Sequence, residues 1–181
     1  MEVQNVILRT VRPDDGQFIW QNVIESKNLD INSAYCYIML CHYFAETCWV
    51  AEAEGNIAGF VTAFLHPSEP EVLFVWQIAV FAEHRGKGLA KRLLHQLLAS
   101  ERCRHVRYVE TTISPDNEAS RRLFAKIAQE LDAPIVEGEG FPVSLFPEQG
   151  HADERLVRIG AIPETGSSSK SFQLHTGGNH K

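Results

Sequence analysis

Residues 85 to 90, R-G-K-G-L-A, set two cations and two glycines at the head of a run of leucines with helical spacing. Such a stretch suits an anion. A helix N-terminus offers unpaired N–H groups and the positive end of the macrodipole, and glycine lacks the Cβ that keeps a ligand away from the chain. Phosphate is the usual guest. A dinucleotide fingerprint is excluded because its third glycine position is Lys91 and several residues separate Val80 from Gly86. A Walker A loop, G-x-x-x-x-G-K-[ST], is absent. The pattern that remains is R-x-x-G-x-A, carried by Arg85, Gly88 and Ala90.

The surrounding elements must hold this stretch in place. "NVILRTVR" alternates as a strand, and Asp14 and Asp15 stand where cap and first-turn acids belong before the helical run "GQFIWQNVIESK". Ser33 is positioned to cap a second helix, "AYCYIMLCHYF". Two strands flank the Glu-Gly-Asn turn in "CWVAEAEGNIAGFVTAFL". "EVLFVWQIAVF" is almost continuously apolar, as a central strand covered on both faces should be. It runs into the glycine stretch, after which Leu89, Leu93 and Leu97 with Ala90, Leu94 and Leu98 give a helix one apolar face. "HVRYVETTI" reads as a strand, "NEASRRLFAKIAQEL" as a helix capped near Asp116 or Asn117, and "APIVEGEGFPVSLF" and "ERLVRIGAI" as strands or extended segments. The expectation is one α/β (α+β) domain over residues 1–163, a mixed central sheet flanked by helices, with a polar, flexible tail at 164–181.

Composition narrows the class. With 181 residues, 44% hydrophobic and a net charge of −6, the chain suits one soluble domain and argues against nucleic acid or an anionic membrane as partner. Nowhere does an apolar run approach the roughly 20 residues of a membrane span, and "MEVQNVILRTVRPDD" has no apolar leader core, so a cytoplasmic location is expected. Cys36, Cys41, Cys48 and Cys103 lack metal-site spacing and read as reduced core or near-core residues. No metal is expected.

The R-x-x-G-x-A signature, its place after a buried strand, the order of elements and Asn117 in "PDNEASRRLF" together resemble the GCN5-related N-acetyltransferases. Five dispersed blocks narrow the likeness: "LDINSAYCYIMLCHYF", "VWQIAV", "RGKGLAKRLL", "ETTISPDNEASRRLF" and "GHADERLVRIG" resemble the L-2,4-diaminobutyrate acetyltransferases of ectoine biosynthesis over about residues 6 to 160. The resemblance implies acetyl transfer from acetyl-CoA to the 4-amino group of the diamino acid, no metal, and a homodimer that serves osmoprotection.

It also implies roles. Gln77, Ile78, Ala79 and Val80 would offer main-chain groups to pantetheine and the thioester oxygen. Gly86, Lys87, Gly88, Leu89 and Ala90 would hold pyrophosphate, with charge from Arg85 and Lys87 and a further contact from Asn117. The resemblance assigns Asp30, Tyr35, Trp76, His151 and Glu154 to the amine pocket, where Asn32 of the polar stretch before the second helix is also expected; Glu154, Trp76 and Tyr35 are the expected catalytic residues, and selectivity for the 4-amine expects Asp30 to clamp the α-end of the substrate. Read from the residues alone, a purely structural role stays open for each: Asp30 as a helix cap, Tyr35 and Trp76 as core, His151 and Glu154 as loop residues. Many superfamily members place a thiolate-protonating Tyr seven residues after the motif Asn; here that position is Phe124. Water, Tyr35 or the ammonium proton remain as the acid. Two other readings stay open: an acetyltransferase for another amine, such as a polyamine or protein N-terminus, and a non-catalytic acetyl-CoA-binding module.

Overall fold

The computed structural model describes residues 6–26, 29, 31–147 and 151–163. The strands are β1 (Val6–Thr10), β2 (Trp49–Ala53), β3 (Asn56–Leu65), β4 (Val72–Val80), β5 (Tyr108–Ile113), β6 (Ile135–Phe141) and β7 (Glu154–Gly160). The helices are α1 (Asp15–Ser26), α2 (Ala34–Tyr43), α3 (Leu89–Leu98) and α4 (Glu118–Glu130). One sheet runs β1-β2-β3-β4-β5-β7-β6. Every neighbouring pair is antiparallel except β4 and β5. The mixed sheet expected from the sequence is thus present, with the two uncertain late segments forming strands of their own.

Local signals place the elements. α1 starts at Asp15, whose carboxylate accepts from the Arg12 N–H at 2.6 Å and pairs with Arg9. Ser33 caps α2 by accepting from Cys36 N–H, and Asn117 caps α4 by accepting from Ser120 N–H. Glu54 and Gly55, both at positive φ, turn the β2–β3 hairpin. Two cores sandwich the sheet. On one face α3 and α4 bury Leu93, Leu97, Phe124 and Ile127 against Val75, Val109 and Ile159. On the other, Ile19 and Val23 of α1 and Tyr37 and Cys41 of α2 pack on Val50 and Phe60. Cys41, Cys48 and Cys103 are buried, and burial pushes the Cys41 and Cys48 thiols up to about 12. They are packing groups, not nucleophiles.

Two irregularities in β4 matter for function. The β3–β4 register passes from Thr62 opposite Gln77 to Ala63 opposite Val75, which leaves Trp76 as an extra residue in a β-bulge. Side-chain parity therefore switches: Leu73 and Val75 face α3 and α4 before the bulge, and Ile78 and Val80 do so after it. On the far side, β4 pairs with β5 only at Val72, Leu73 and Phe74. Beyond Phe74 the two parallel strands part, and the sheet opens.

Candidate active site

The opening between β4 and β5 is a cleft of about 1710 Å³ that passes from one face of the sheet to the other. Its wall on the α3–α4 side includes Arg85, Ala90, Asn117, Ser120 and Phe124, and on the opposite side Trp76, Glu110, Thr112, His151 and Glu154. Along its spine runs the free edge of β4. The Gln77 carbonyl turns towards β3, where it accepts from the Thr62 hydroxyl, and the Phe81 N–H reaches the Ala58 carbonyl. Alternation then turns the main-chain groups of Ile78 and Val80 into the cleft. The Val80 carbonyl accepts from Arg85 Nε at 3.0 Å, so Arg85 also ties the glycine loop to the strand.

That loop carries both motif glycines and leads into α3. Gly86 and Gly88 adopt φ of +75° and +70°, and a Cβ on either would meet nothing within 4 Å. Left-handed backbone requires the glycines, and the empty space beside them leaves room for a ligand to approach. Gly88 is the N-cap of α3 and makes no side-chain cap bond, while Arg92 N–H is the first to reach back to its carbonyl. The N–H groups of the preceding turn point out of the helix end. Leu89 contributes only main chain, because its side chain is buried in the core. The Asn117 carbonyl oxygen is committed to capping α4.

The opposite side of the cleft gathers several of the residues expected to hold an amine. Asn32, Trp76, His151 and Glu154 do line the cleft. His151 stacks on Phe146, ring centroids 3.7 Å apart. Glu154 opens β7, four residues before Arg158 on the same strand. Asp30 lies outside the described residues. Tyr35 is 75% exposed and absent from the cleft wall. The inward tyrosine is Tyr37, fully buried, with its hydroxyl donating to Gln77 Oε1 at 2.9 Å and its ring 5.8 Å from that of Trp76. Burial pushes its phenol up, against hydrogen bonds to Asn32 and Gln77. Two residues along a helix are about 200° apart, so when Tyr37 turns in, Tyr35 turns out.

Glu110 was also hidden in the sequence. It lies on β5, 8% exposed, and accepts from Arg158 Nη1 at 2.7 Å. Phe124, the position of the missing tyrosine, is 2% exposed and lines the cleft, so no hydroxyl stands there. Among the described residues no group of three or more His, Cys, Asp or Glu is placed to hold a metal ion, and no helix is long and apolar enough to cross a membrane.

Comparison with known proteins agrees with this geometry. The Acetyltransferase (GNAT) family pattern matches residues 18–128. The chain is 49% identical over 154 residues to an L-2,4-diaminobutyric acid acetyltransferase from Bordetella parapertussis, covering 84% of this chain and 83% of that one. It is 44% identical over 158 residues to one from Marinococcus halophilus, covering 87% and 91%. Among solved structures, a diaminobutyrate acetyltransferase from Paenibacillus lautus, in complex with L-2,4-diaminobutyric acid and coenzyme A, matches with a TM-score of 0.85 and 43% identity over 88% of this chain and 97% of that one. Ard1 from Thermoplasma volcanium matches at 0.70 with 16% identity, a likeness of fold alone.

Proposed function

The chain belongs to the acetyltransferase (GNAT) family, and on that premise we propose that it transfers the acetyl group of acetyl-CoA to the 4-amino group of L-2,4-diaminobutyrate. The cleft through the sheet carries the reading. One mouth offers a helix N-terminus and glycine loop for pyrophosphate, the other an aromatic and acidic pocket for a diamine, and the free edge of β4 lies between them.

Acetyl-CoA supplies an activated thioester. Gly86 to Ala90 hold its pyrophosphate through main-chain N–H groups, Arg85 and Lys87 add charge, and Asn117 stands at the same mouth. The N–H groups of Ile78 and Val80 face the cleft, where one meets the thioester oxygen as negative charge develops on it. Trp76, raised by the bulge and braced by Tyr37, forms the wall against which the amine lies, with Asn32 and His151 beside it. Glu154 receives the proton the amine must lose.

Selectivity for the 4-amine is geometric. That amine resembles a lysine, with a reference pKa of about 10.4, so freeing it at pH 7.5 costs roughly 4 kcal/mol. Oriented attack is worth on the order of 7 kcal/mol or more, enough to overcome the more acidic α-amine if the latter is held away. Homodimeric assembly is part of the proposal, supported by apolar side chains exposed on α1 and α2, among them Phe18, Ile38 and Tyr43. So are a cytoplasmic setting and a product that feeds a cyclisation yielding an osmoprotectant. Incubation with acetyl-CoA and a panel of diamines, read by thiol release and by NMR of the product, tests the reading. N4-acetyl-diaminobutyrate should dominate; equal turnover of polyamines, or a mixture of α- and 4-acetyl products, overturns it.

A further inference from the structure

We infer that Glu110 is a specificity-determining residue of the amine pocket, whose carboxylate takes the α-ammonium of the diamino acid while Arg158 holds it in place. The inference rests on the function proposed above. Val109, Ile113, Val157 and Ile159 face the α3–α4 core, so alternation puts Glu110, Thr112, Glu154, Leu156 and Arg158 on the opposite face, the one that carries Trp76. Glu110 is the last β5 residue paired to β4, opposite Phe74, and therefore stands where the sheet begins to open. Across the other edge it is paired in register with Arg158.

Burying a carboxylate among Phe64, Phe74 and Trp76, which share the cleft wall, is costly unless it is paired. The bond from Arg158 supplies one partner, and Arg158 is itself fixed, its guanidinium carbon 4.2 Å from the centre of the Tyr108 ring and its other nitrogen 3.9 Å from Glu69. An ionised carboxylate has about four acceptor sites, more than one such bond uses. A cationic ligand fills the remainder.

Spacing assigns the end of the substrate. Glu154 stands four residues before Arg158, the cross-strand partner of Glu110, so the two glutamates are about 13 Å apart along the strands. Their side chains shorten that gap from both ends, leaving a span suited to a diamine whose nitrogens are three carbons apart. Glu154 lies near the level of the thioester-facing main chain, which leaves Glu110 for the distant, α-ammonium end.

The test is Glu110→Gln, which keeps the shape and an acceptor for Arg158 but removes the charge. Expected are a rise of tenfold or more in KM for L-2,4-diaminobutyrate, kcat within about threefold, and an unchanged KM for acetyl-CoA. A purely structural pair would instead lower thermal stability and disturb both substrates alike, and either that result or an unchanged KM for the diamino acid overturns the inference. If Glu110→Gln does not fold, Glu110→Asp replaces it, with a smaller rise in the same KM expected and no rise overturning the idea. Titration calorimetry of diaminobutyrate into the CoA-loaded wild type and variant separates the two proposals. A wild type that binds but does not acetylate the diamino acid sinks the function, while loss of that binding in the variant still supports Glu110.

Discussion

The two mouths of the cleft are built on different principles. On the α3–α4 side the cleft presents backbone: two left-handed glycines, the open end of a helix and the free edge of a strand. On the other side it presents side chains gathered from distant parts of the chain: Asn32 before α2, Trp76 and Gln77 at the bulge, Glu110 on β5, His151 ahead of β7 and Glu154 at its start. A backbone site can recognise a phosphate group shared by many enzymes and needs few fixed residue types. A side-chain site discriminates among amines, and its members must be held by neighbours that never touch the ligand.

The sharpest break in that comparison is Gly88→Val. Its Cβ meets no protein atom, so the fold should persist with only the strain of a β-branched residue at positive φ. Acetyl-CoA affinity should fall more than a hundredfold, because the Cβ occupies the ligand's approach. Gly59→Val is the contrast, since its Cβ would lie 2.7 Å from the Ala79 carbonyl oxygen and it should fail to fold. Calorimetry and thermal melts read the pair, and a Gly88→Val enzyme that binds acetyl-CoA normally overturns the backbone reading.

The start of α1 is held by Asp15, paired with Arg9 and accepting from the Arg12 N–H. Burial raises its pKa, yet the Arg9 guanidinium and the Arg12 N–H outweigh burial and hold it below the usual carboxylate range. A depressed folded-state pKa contributes stability above the unfolded value, about 3.9, and loses it as pH falls through the folded value. Asp15→Asn should cost about 2 kcal/mol at neutral pH, by loss of hydrogen bonds to a charged group. The gap between wild type and variant should start to narrow below about pH 4 and go on narrowing as pH falls through the folded value. A gap that stays constant through the acid range excludes the carboxylate as its source.

Within the amine mouth, Glu154→Ala should lower kcat/KM at least tenfold, about 1.4 kcal/mol of transition-state stabilisation, with acetyl-CoA affinity unchanged. Wild-type kinetics would reduce Glu154 to the first residue of a strand.

The same division explains what could be read in advance. The glycine loop, the α3 face and the Ser33 and Asn117 caps are local, with signals inside a few residues, and the structure has them where the sequence put them. The bulge at Trp76 exists only as a slip in register between two strands, so no pattern within "VWQIAV" reveals it. Glu110 looks like any polar residue of a strand until β7, 48 positions on, sets Arg158 opposite it. Tyr35 and Tyr37 sit in a helix apolar on nearly every side, "AYCYIMLCHY", where periodicity cannot tell which tyrosine turns inward.

Tyr37 gives the finest test of how far the amine mouth depends on residues behind it. Its hydroxyl holds the Gln77 side chain and its ring backs Trp76, so it links α2 to both bulge residues without lining the cleft. Tyr37→Phe keeps the ring and removes the hydroxyl with its hydrogen bonds to Gln77 and Asn32; the cost in stability is about 1 kcal/mol for each net hydrogen bond lost. If the bond also fixes the bulge, kcat for the diamino acid should fall about threefold to tenfold while the KM for acetyl-CoA stays put, because the free edge of β4 at Ile78 and Val80 is set by its pairing with β3. Gln77→Ala should produce the same loss of kcat, and the double variant should be no worse than either alone, the signature of two groups acting through one bond. Additive losses would mean that Tyr37 braces Trp76 by packing and that the hydroxyl serves stability only.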